Sequence, residues 1–302
     1  MKITAIILTF NEEIHLARCI ESLLPLTGDI VVVDSLSTDR TIEIARQYGA
    51  RVLERAWQNN HSIQFNWALT QLNPSQTEWV LRIDADEVLT PGLVVQLQQE
   101  LPQLDNQTVG VHFFRKMCFQ GKLIEHGGVG RNKVSRLFRY GHGKSEARWM
   151  DEHIKIDGKC LDLPGHMIDD NLNSVSWWIT KHNNYASREA IDLLNLKYRF
   201  TALDSVSDSG TTSSISKKRW IKENLYSKMP LGMRSFSYFF YRYFLLAGFL
   251  DGAVGTQFHF LQAFWYRYLV DIKFAEVERY IKVHGVTPQA AIDRVLGIKL
   301  SQ

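Results

Sequence analysis

Residues 79–91, WVLRIDADEVLTP, carry the densest chemistry in the chain: a run of strand-forming apolar residues ends in Asp84, Asp86 and Glu87, three acids within four positions. Burying a carboxylate is costly unless it is paired or bound to a metal. Hard divalent cations such as Mg2+ and Mn2+ favour carboxylate oxygens together with water and phosphate oxygens. Aspartates one residue apart at a strand end, Asp84-Ala85-Asp86, could divide the labour, one gripping a ribose hydroxyl while the other reaches the metal. A metal-bridged pyrophosphate is a good leaving group, because the cation neutralises charge developing on its oxygens. The simpler reading is that one aspartate caps the helix at Pro91 and the other is solvated.

Such a site needs a scaffold that brings further strand ends beside it. Ile3–Thr9 is a continuous apolar run, the pattern of a strand buried on both faces. Asn11 is placed to cap a helix in which Ile14, Leu16, Ala17, Ile20, Leu23 and Leu24 recur at helical spacing. Ile30–Val33 makes a second strand ending at Asp34. Ser37 or Thr38 is placed to cap the next helix, which carries Ile42, Ile44 and Ala45 and stops at Gly49. Arg51–Leu53 is a third strand, Ser62–Leu72 a third helix, Trp79–Ile83 a fourth strand, and Pro91 a favoured first-turn residue. This alternation predicts an α/β fold with a parallel sheet flanked by helices. Sheets of that kind bind ligands at the carboxyl ends of their strands. Those ends carry Thr9-Phe10-Asn11-Glu12, Asp34-Ser35 and Asp84-Ala85-Asp86, so three strands place polar groups on one rim.

From Val109 the pattern changes. VGVHFFRKMCF and KVSRLFRYG read as strands without intervening helices, which makes the sheet mixed, and HIKIDGKCLDL alternates around an Asp-Gly turn as a hairpin would. After His166 the chain becomes helical, and residues 204–216, DSVSDSGTTSSIS, read as a mobile loop. Between Ser216 and Phe244 seven Lys/Arg (Lys217, Lys218, Arg219, Lys222, Lys228, Arg234 and Arg242) stand against one acid, Glu223, with nine aromatics interleaved. Cations beside aromatic rings suit a peripheral membrane surface, although a helical subdomain packing its aromatics inward would give the same composition.

The bulk numbers bound the rest. The chain has 302 residues, 45% hydrophobic, with a formal charge of +3, so no global polycation is available for nucleic acid. Three scattered cysteines, Cys19, Cys118 and Cys160, form no CxxC pair, which argues for a reducing, cytosolic setting. The N-terminus reads as a first strand and not a signal peptide. The nearest candidate for a spanning helix, Tyr243 to Tyr266, is interrupted by Asp251, Gln257, His259 and Gln262.

ILTFNEE, IVVVDSLSTDRT and LRIDADE closely resemble the nucleotide-sugar domain of family 2 glycosyltransferases, and WMDEHIKIDG, PGHMIDD, KHNNYASREA and GFLDGAVG extend the likeness along nearly the whole chain. The longer pattern resembles the bacterial subgroup of lipopolysaccharide or lipooligosaccharide core glucosyltransferases. The resemblance implies a GT-A, Rossmann-like sheet over residues 1–170 and a helical, basic and aromatic region over 171–302. It implies an inverting, metal-dependent transfer from a nucleoside-diphosphate sugar, UDP-linked, to a lipid-linked or core saccharide at the cytoplasmic face of the inner membrane.

Carried over by motif, Leu8, Thr9, Phe10 and Glu12 line the nucleoside pocket and Asp34 bonds the base, unless it only caps its turn. Asp84, with Ala85 beside it, holds the ribose or metal-bound water, and Asp86 is the direct ligand of Mn2+ or Mg2+. Gln64 and Asn66 face the donor or are exposed helix polars. Arg136 pairs with a phosphate or a surface acid, and His166 is a further metal contact or a structural histidine. An inverting displacement also needs a base for the acceptor hydroxyl. The resemblance aligns Glu152 with the family's acid and leaves Asp151 as the departure from its pattern. Two rivals remain. A nucleotidyltransferase would want a glycine-rich, lysine-bearing phosphate loop, which LTFNEE lacks, and a non-catalytic sugar-nucleotide-binding or membrane-scaffold protein would have lost the metal acid or the base.

Overall fold

A computed structural model describes residues 2–58, 60–130, 132–146, 153–200 and 229–300, in two compact units, Met1–Leu172 and Asn173–Gln302. Asp151, Glu152 and the 204–216 segment lie outside the described residues, as do Lys217, Lys218, Arg219, Lys222, Glu223 and Lys228.

The first unit is built as the alternation demands. β1 (Ile3–Thr9), α1 (Leu16–Leu23), β2 (Asp29–Asp34), α2 (Thr41–Gln47), β3 (Arg51–Glu54), α3 (His61–Thr70) and β4 (Trp79–Asp84) follow in turn, and the four strands pair in parallel in the order β3-β2-β1-β4. β5 (Glu87–Leu89) and α4 (Pro91–Glu100), capped by the Thr90 hydroxyl, lead to β6 (Thr108–Phe119), β7 (Lys122–Ile124) and β8 (Asn132–Arg139). β8 runs antiparallel between β4 and β6, and β11 (Lys159–Asp170) lies parallel to β6 and antiparallel to β5. Six of the nine strands in this sheet therefore point the same way, the mixed, mainly parallel GT-A arrangement.

Helices cover both faces. Ile7, Leu16, Ile20, Trp79, Leu81, Leu93 and Met167 pack on one, and Ile6, Val33, Phe65, Val80 and Phe138 on the other. β1, apolar but for Thr4 and Thr9, has six of its seven residues buried, as befits an interior strand between β2 and β4.

Three local expectations are corrected. Asn11 does not cap α1: it sits in the left-handed region at φ 54, and its carboxamide oxygen accepts from Thr38 N at 2.8 Å, tying the β1 end to the β2 loop. Neither Ser37 nor Thr38 caps α2, since Asp39 Oδ1 accepts from Thr41 N at 3.0 Å. HIKIDGKCLDL is not a hairpin. β10 (Ile154–Ile156) pairs with β9 (Gly143–Ser145), whereas β11 joins the main sheet. The type I′ turn that an Asp-Gly pair favours needs φ above zero at both central positions, and here Gly158, at φ 140, has it while Asp157 does not.

The second unit is helical. α5 (Val175–Tyr198), capped by Ser174, packs on α8 (Tyr266–His284) through Ala186, Ala190, Tyr266 and Val270. α6 (Met233–Phe240) and α7 (Gly252–His259) lie between them in sequence, and α9 (Pro288–Leu296) closes a second small core with Leu194, Val277 and Ile292.

Candidate active site

The ends of β4, β5, β8 and β11 converge on a charged rim. Asp84 ends β4, and its amide donates to Glu87 Oε2 at 2.9 Å, so the 84–87 turn is closed by its own acid. Glu87 is 1% exposed. From β8, Arg136 reaches both, its NH2 group 2.8 Å from Asp84 Oδ2 and 2.8 Å from Glu87 Oε1. Arg82 lies 3.7 Å from Asp84 Oδ1 and stacks over Phe65, while Arg115 of β6 lies 3.6 Å from Glu87 and 3.7 Å from Asp169.

These contacts set the protonation states. Burial opposes ionisation of Asp84, but Arg136 and Arg82 outweigh it and hold the carboxyl well below the usual carboxylate range. Burial and the neighbouring Asp84 push Glu87 up, against Arg136 and Arg115. Burial, then Asp86, push Asp169 up to about 8 despite Arg115. Asp84, Asp86, Glu87 and Asp169 thus share the rim with Arg82, Arg115 and Arg136, and burial with repulsion among the acids keeps Asp169 protonated at neutral pH.

Asp86 occupies the turn itself. Its carbonyl accepts from Asp170 N at 2.9 Å, and Asn171 Nδ2 donates to its Oδ2 at 2.9 Å. Its other carboxylate oxygen is not claimed by either bond. The segment that holds it is fastened in turn: Arg18 bonds Asp170 Oδ2 at 2.6 Å, and Leu172 N donates to His15 Nε2 at 2.9 Å. That second bond fixes the buried His15 as the Nδ1–H tautomer, which donates to Glu12 Oε2 at 2.5 Å.

The donor set fits a hard divalent cation. Asp84 and Asp86 supply oxygen, and burial, then the neighbouring Asp86, raise Asp169 although Arg115 lies 3.7 Å away. No group of three or more His, Cys, Asp or Glu able to hold a metal occurs among the described residues. Mg2+ or Mn2+ takes one or two carboxylates and fills its remaining positions with water and phosphate.

The remaining expected residues separate into three groups. Asp34 is fully buried and accepts from Thr9 Oγ1 at 2.8 Å, Ser37 N at 2.7 Å and Ser37 Oγ at 2.6 Å, so it caps its turn and keeps about one acceptor position for a ligand. Leu8 is half-buried and Phe10 is exposed at the β1 end, while Ala85 is buried beneath the acids. Gln64 is wholly buried, donating to Arg55 O at 3.1 Å and, at a longer 3.4 Å, to Ser35 Oγ, and its buried Oε1 has no partner.

Asn66 is half-buried, not exposed: its amide bonds both the N–H and the C=O of Ser145, each at 2.9 Å, anchoring β9. Arg136, expected at a phosphate or a surface acid, is buried and given to Asp84 and Glu87. His166 is not brought to Asp86. It lies three residues from Asp169 in a regular stretch of β11, so strand alternation turns it to the opposite face, where burial and Lys116 lower its pKa against Glu125.

Sequence reasoning missed Arg82, Arg115, Asp169 and Asn171. Only Arg82 carried a local signal, a charge inside the apolar strand WVLRID that has to find a partner.

The family model described as glycosyl transferase family 2 matches residues 4–150. An uncharacterized glycosyltransferase of Rickettsia bellii is 38% identical over 213 residues, 64% of this chain and 68% of its own. The lipopolysaccharide core biosynthesis glycosyltransferase LpsC of Rhizobium meliloti is 32% identical over 197 residues, 63% of this chain and 71% of its own. Among solved structures, glucosyl-3-phosphoglycerate synthase from Mycobacterium tuberculosis overlaps 38% of this chain and 44% of its own, at 23% identity and a TM-score of 0.32, too partial an overlap to carry an argument.

Two stability measurements check the rim. Arg136→Met leaves Asp84 and Glu87 without their shared cation, which should cost about 3–5 kcal/mol and lower Tm by roughly ten degrees; a loss of a degree or two would mean the pair is not structural. The raised Asp169 holds a proton that the unfolded chain has released, so its stabilising effect is full below the ordinary value of 3.8 and is lost as pH rises through about 8. Chelator-treated protein should therefore lose stability between about pH 4 and about pH 8, and Asp169→Asn should flatten that slope. An unchanged slope in the variant would contradict the assignment.

Proposed function

This chain belongs to glycosyltransferase family 2, and on that premise we propose that it transfers a hexosyl group from a UDP-sugar, with inversion, to a lipid-linked or lipopolysaccharide-core saccharide at the cytoplasmic face of the inner membrane. The observation that carries the donor side is the crowding of Asp84, Asp86, Glu87 and Asp169 on one rim, where a divalent cation would offset the repulsion among the acids and neutralise a diphosphate. The acceptor side draws on the likeness to LpsC, whose name states lipopolysaccharide core biosynthesis.

Asp86 and Asp84 would hold Mn2+ or Mg2+. The cation, when bound, neutralises charge on the departing diphosphate. Arg136 keeps Asp84 ionised and its carboxylate oriented, and Asn171 orients Asp86 from the opposite side. At the β1 and β2 ends, Asp34 offers its remaining acceptor position to the nucleobase, and Leu8 and Phe10 supply apolar surface beside it. The acceptor hydroxyl oxygen attacks the anomeric carbon, the bond from that carbon to the diphosphate oxygen breaks, and the hydroxyl proton passes to Glu152, with UDP leaving on the opposite face. Asp151 is the neighbouring alternative base. The β9–β10 pairing and the bond from Glu146 N to His153 O at 3.0 Å bracket these two acids in sequence.

Transfer kinetics with a panel of UDP-sugars and a core-saccharide acceptor test the assignment. Asp86→Ala should lose metal-dependent turnover by at least about a hundredfold while melting as the parent does. Glu152→Gln should keep donor affinity and lose transfer by about 100- to 10,000-fold, with Asp151→Asn milder. Unchanged activity in Asp86→Ala would sink the metal assignment, and the reverse order of the two acids would move the base to Asp151.

A further inference from the structure

The helical unit carries its polarity inside out around one break. Between Lys228 and Arg267 only Arg234, Arg242 and Asp251 are formally charged, and all three are buried, at 3%, 8% and 4% exposure. Arg234 Nε donates to Asp271 Oδ1 at 2.7 Å, and Asp271 Oδ2 accepts from Gly232 N at 2.8 Å and from the Ser235 hydroxyl at 3.1 Å. Outward go Phe236, Phe240, Phe244, Leu245, Phe249 and Leu250, each between 45% and 67% exposed. Of the twenty-three exposed large apolar side chains among the described residues, twelve lie between Leu231 and Ile272, so the exposure is concentrated. It is also contiguous: ring centroids of Phe240 and Phe244 are 5.0 Å apart, those of Phe244 and Tyr243 5.0 Å, and those of Tyr243 and Phe249 6.2 Å. A helix in water turns its apolar stripe to the core and its charges outward, and a contiguous apolar patch marks an interaction surface.

The backbone suits apolar surroundings as well. The chain breaks at Ala247, φ 56, and the segments Met233–Leu245 and Gly248–His284 meet at 70°. A Cβ on Gly248 would lie 2.7 Å from the His259 ring, so the GFLDGAVG stretch folds closely over its own polar groups. Three amides around the break are bonded internally: Leu246 N to Tyr241 O at 2.9 Å, Ala247 N to Phe244 O at 3.2 Å and Leu250 N to Ala247 O at 3.0 Å. Internally bonded backbone is the condition for lying in hydrocarbon. No single helix among the described residues is long and apolar enough to cross a bilayer. The arm Met233–Leu245 reaches about 20 Å at 1.5 Å per residue, short of the roughly 30 Å of a bilayer core.

We propose that residues 231–260 form a monotopic lipid-inserting surface, seated at the boundary between headgroups and acyl chains of an anionic bilayer. Charge complementarity selects this occupant: Lys217, Lys218, Arg219, Lys222 and Lys228 precede the segment in sequence, and cations beside an inserted aromatic face are drawn to anionic lipid. A protein partner calls for a polar rim, and the stretch Phe244–Leu250 holds no charged residue. This goes beyond the transfer reaction and holds whether or not the acceptor is lipid-linked. It also replaces surface attraction with insertion, which resists salt.

Flotation of the full chain with phosphatidylethanolamine–phosphatidylglycerol vesicles, at low salt and at about 1 M NaCl where charges are screened to about 3 Å, tests it. The parent should float under both conditions. The triple variant F236S/F244S/L250S changes only exposed side chains. It should keep the parent's circular dichroism and UDP-sugar hydrolysis while its high-salt partition falls by at least about tenfold. A parent left in the aqueous fraction at high salt overturns the proposal, as does equal flotation of the variant. A lipid-free dimer that the variant abolishes, with no flotation of the parent, gives the face to a second copy and also overturns it. Flotation of a protein that turns over no UDP-sugar supports insertion and sinks only the transfer reading.

Discussion

Arg136 is buried at 8% exposure with Asp84 and Glu87 each 2.8 Å from the same guanidinium nitrogen, and several strands must cooperate to satisfy that arrangement. An ion so placed is tolerated only when its charge is offset and its donors are bonded. β8 therefore has to lie beside β4, and the turn after β4 has to fold Glu87 back under Asp84 N. β11 must then run beside β5 so that Asp169 and Arg115 complete the set. One consequence is chemical: Asp84 is held ionised while Asp169 is pushed up to about 8, so neighbouring carboxyls differ in charge because their partners differ. Another is mechanical. Asp86 hangs from a turn whose far side is fastened by Asn171, Arg18 and His15, so the acid proposed to touch metal is oriented from two elements that are distant in sequence.

The sequence was most readable where one strand's pattern is self-sufficient. β1, β2 and β4 are mostly apolar runs buried on both faces, and a parallel sheet with polar groups at the strand ends follows from their alternation with helices. It was least readable where placement depends on a strand's partner. Asp169 and Asn171 sit in PGHMIDD, and nothing local shows that Asn171 meets a residue 85 positions earlier. His166 lies in the same stretch but on the opposite face, a matter of strand parity that the sequence supports only once the pairing is known. The Asp-Gly step at 157–158 suits a hairpin by its turn chemistry, but β11 pairs with β6 and β5 on its two edges, which leaves none for β10. Capping was misassigned for a related reason: Asn11 and Asp39 each had a choice of amides, and the contact between the β1 and β2 loops decided it.

The two units solve opposite solvation problems. In the first, charges gather at a rim where carboxylates and guanidinium groups of neighbouring strands are bonded to one another. In the second, Arg234, Arg242 and Asp251 are drawn inward while Phe236, Phe240, Tyr241, Phe244 and Phe249 stand outside. Composition alone could not separate these cases, since basic and aromatic residues interleaved along 216–244 are compatible with either orientation. Only the burial of each side chain distinguishes an aromatic core with a charged coat from a polar core with an aromatic coat.

The claim on which the rest depends is that the acids at Asp84 and Asp86 serve a metal–diphosphate. Calorimetric titration of the full chain with UDP, with and without Mn2+, and in parallel with GDP, CMP and dTDP, addresses it most directly. Binding of UDP that tightens by at least about tenfold with Mn2+, worth about 1.4 kcal/mol, and exceeds that of the other nucleotides is the predicted result. UDP binding that is indifferent to Mn2+, or no nucleotide binding at all, would contradict the account of why this strand ends in acids.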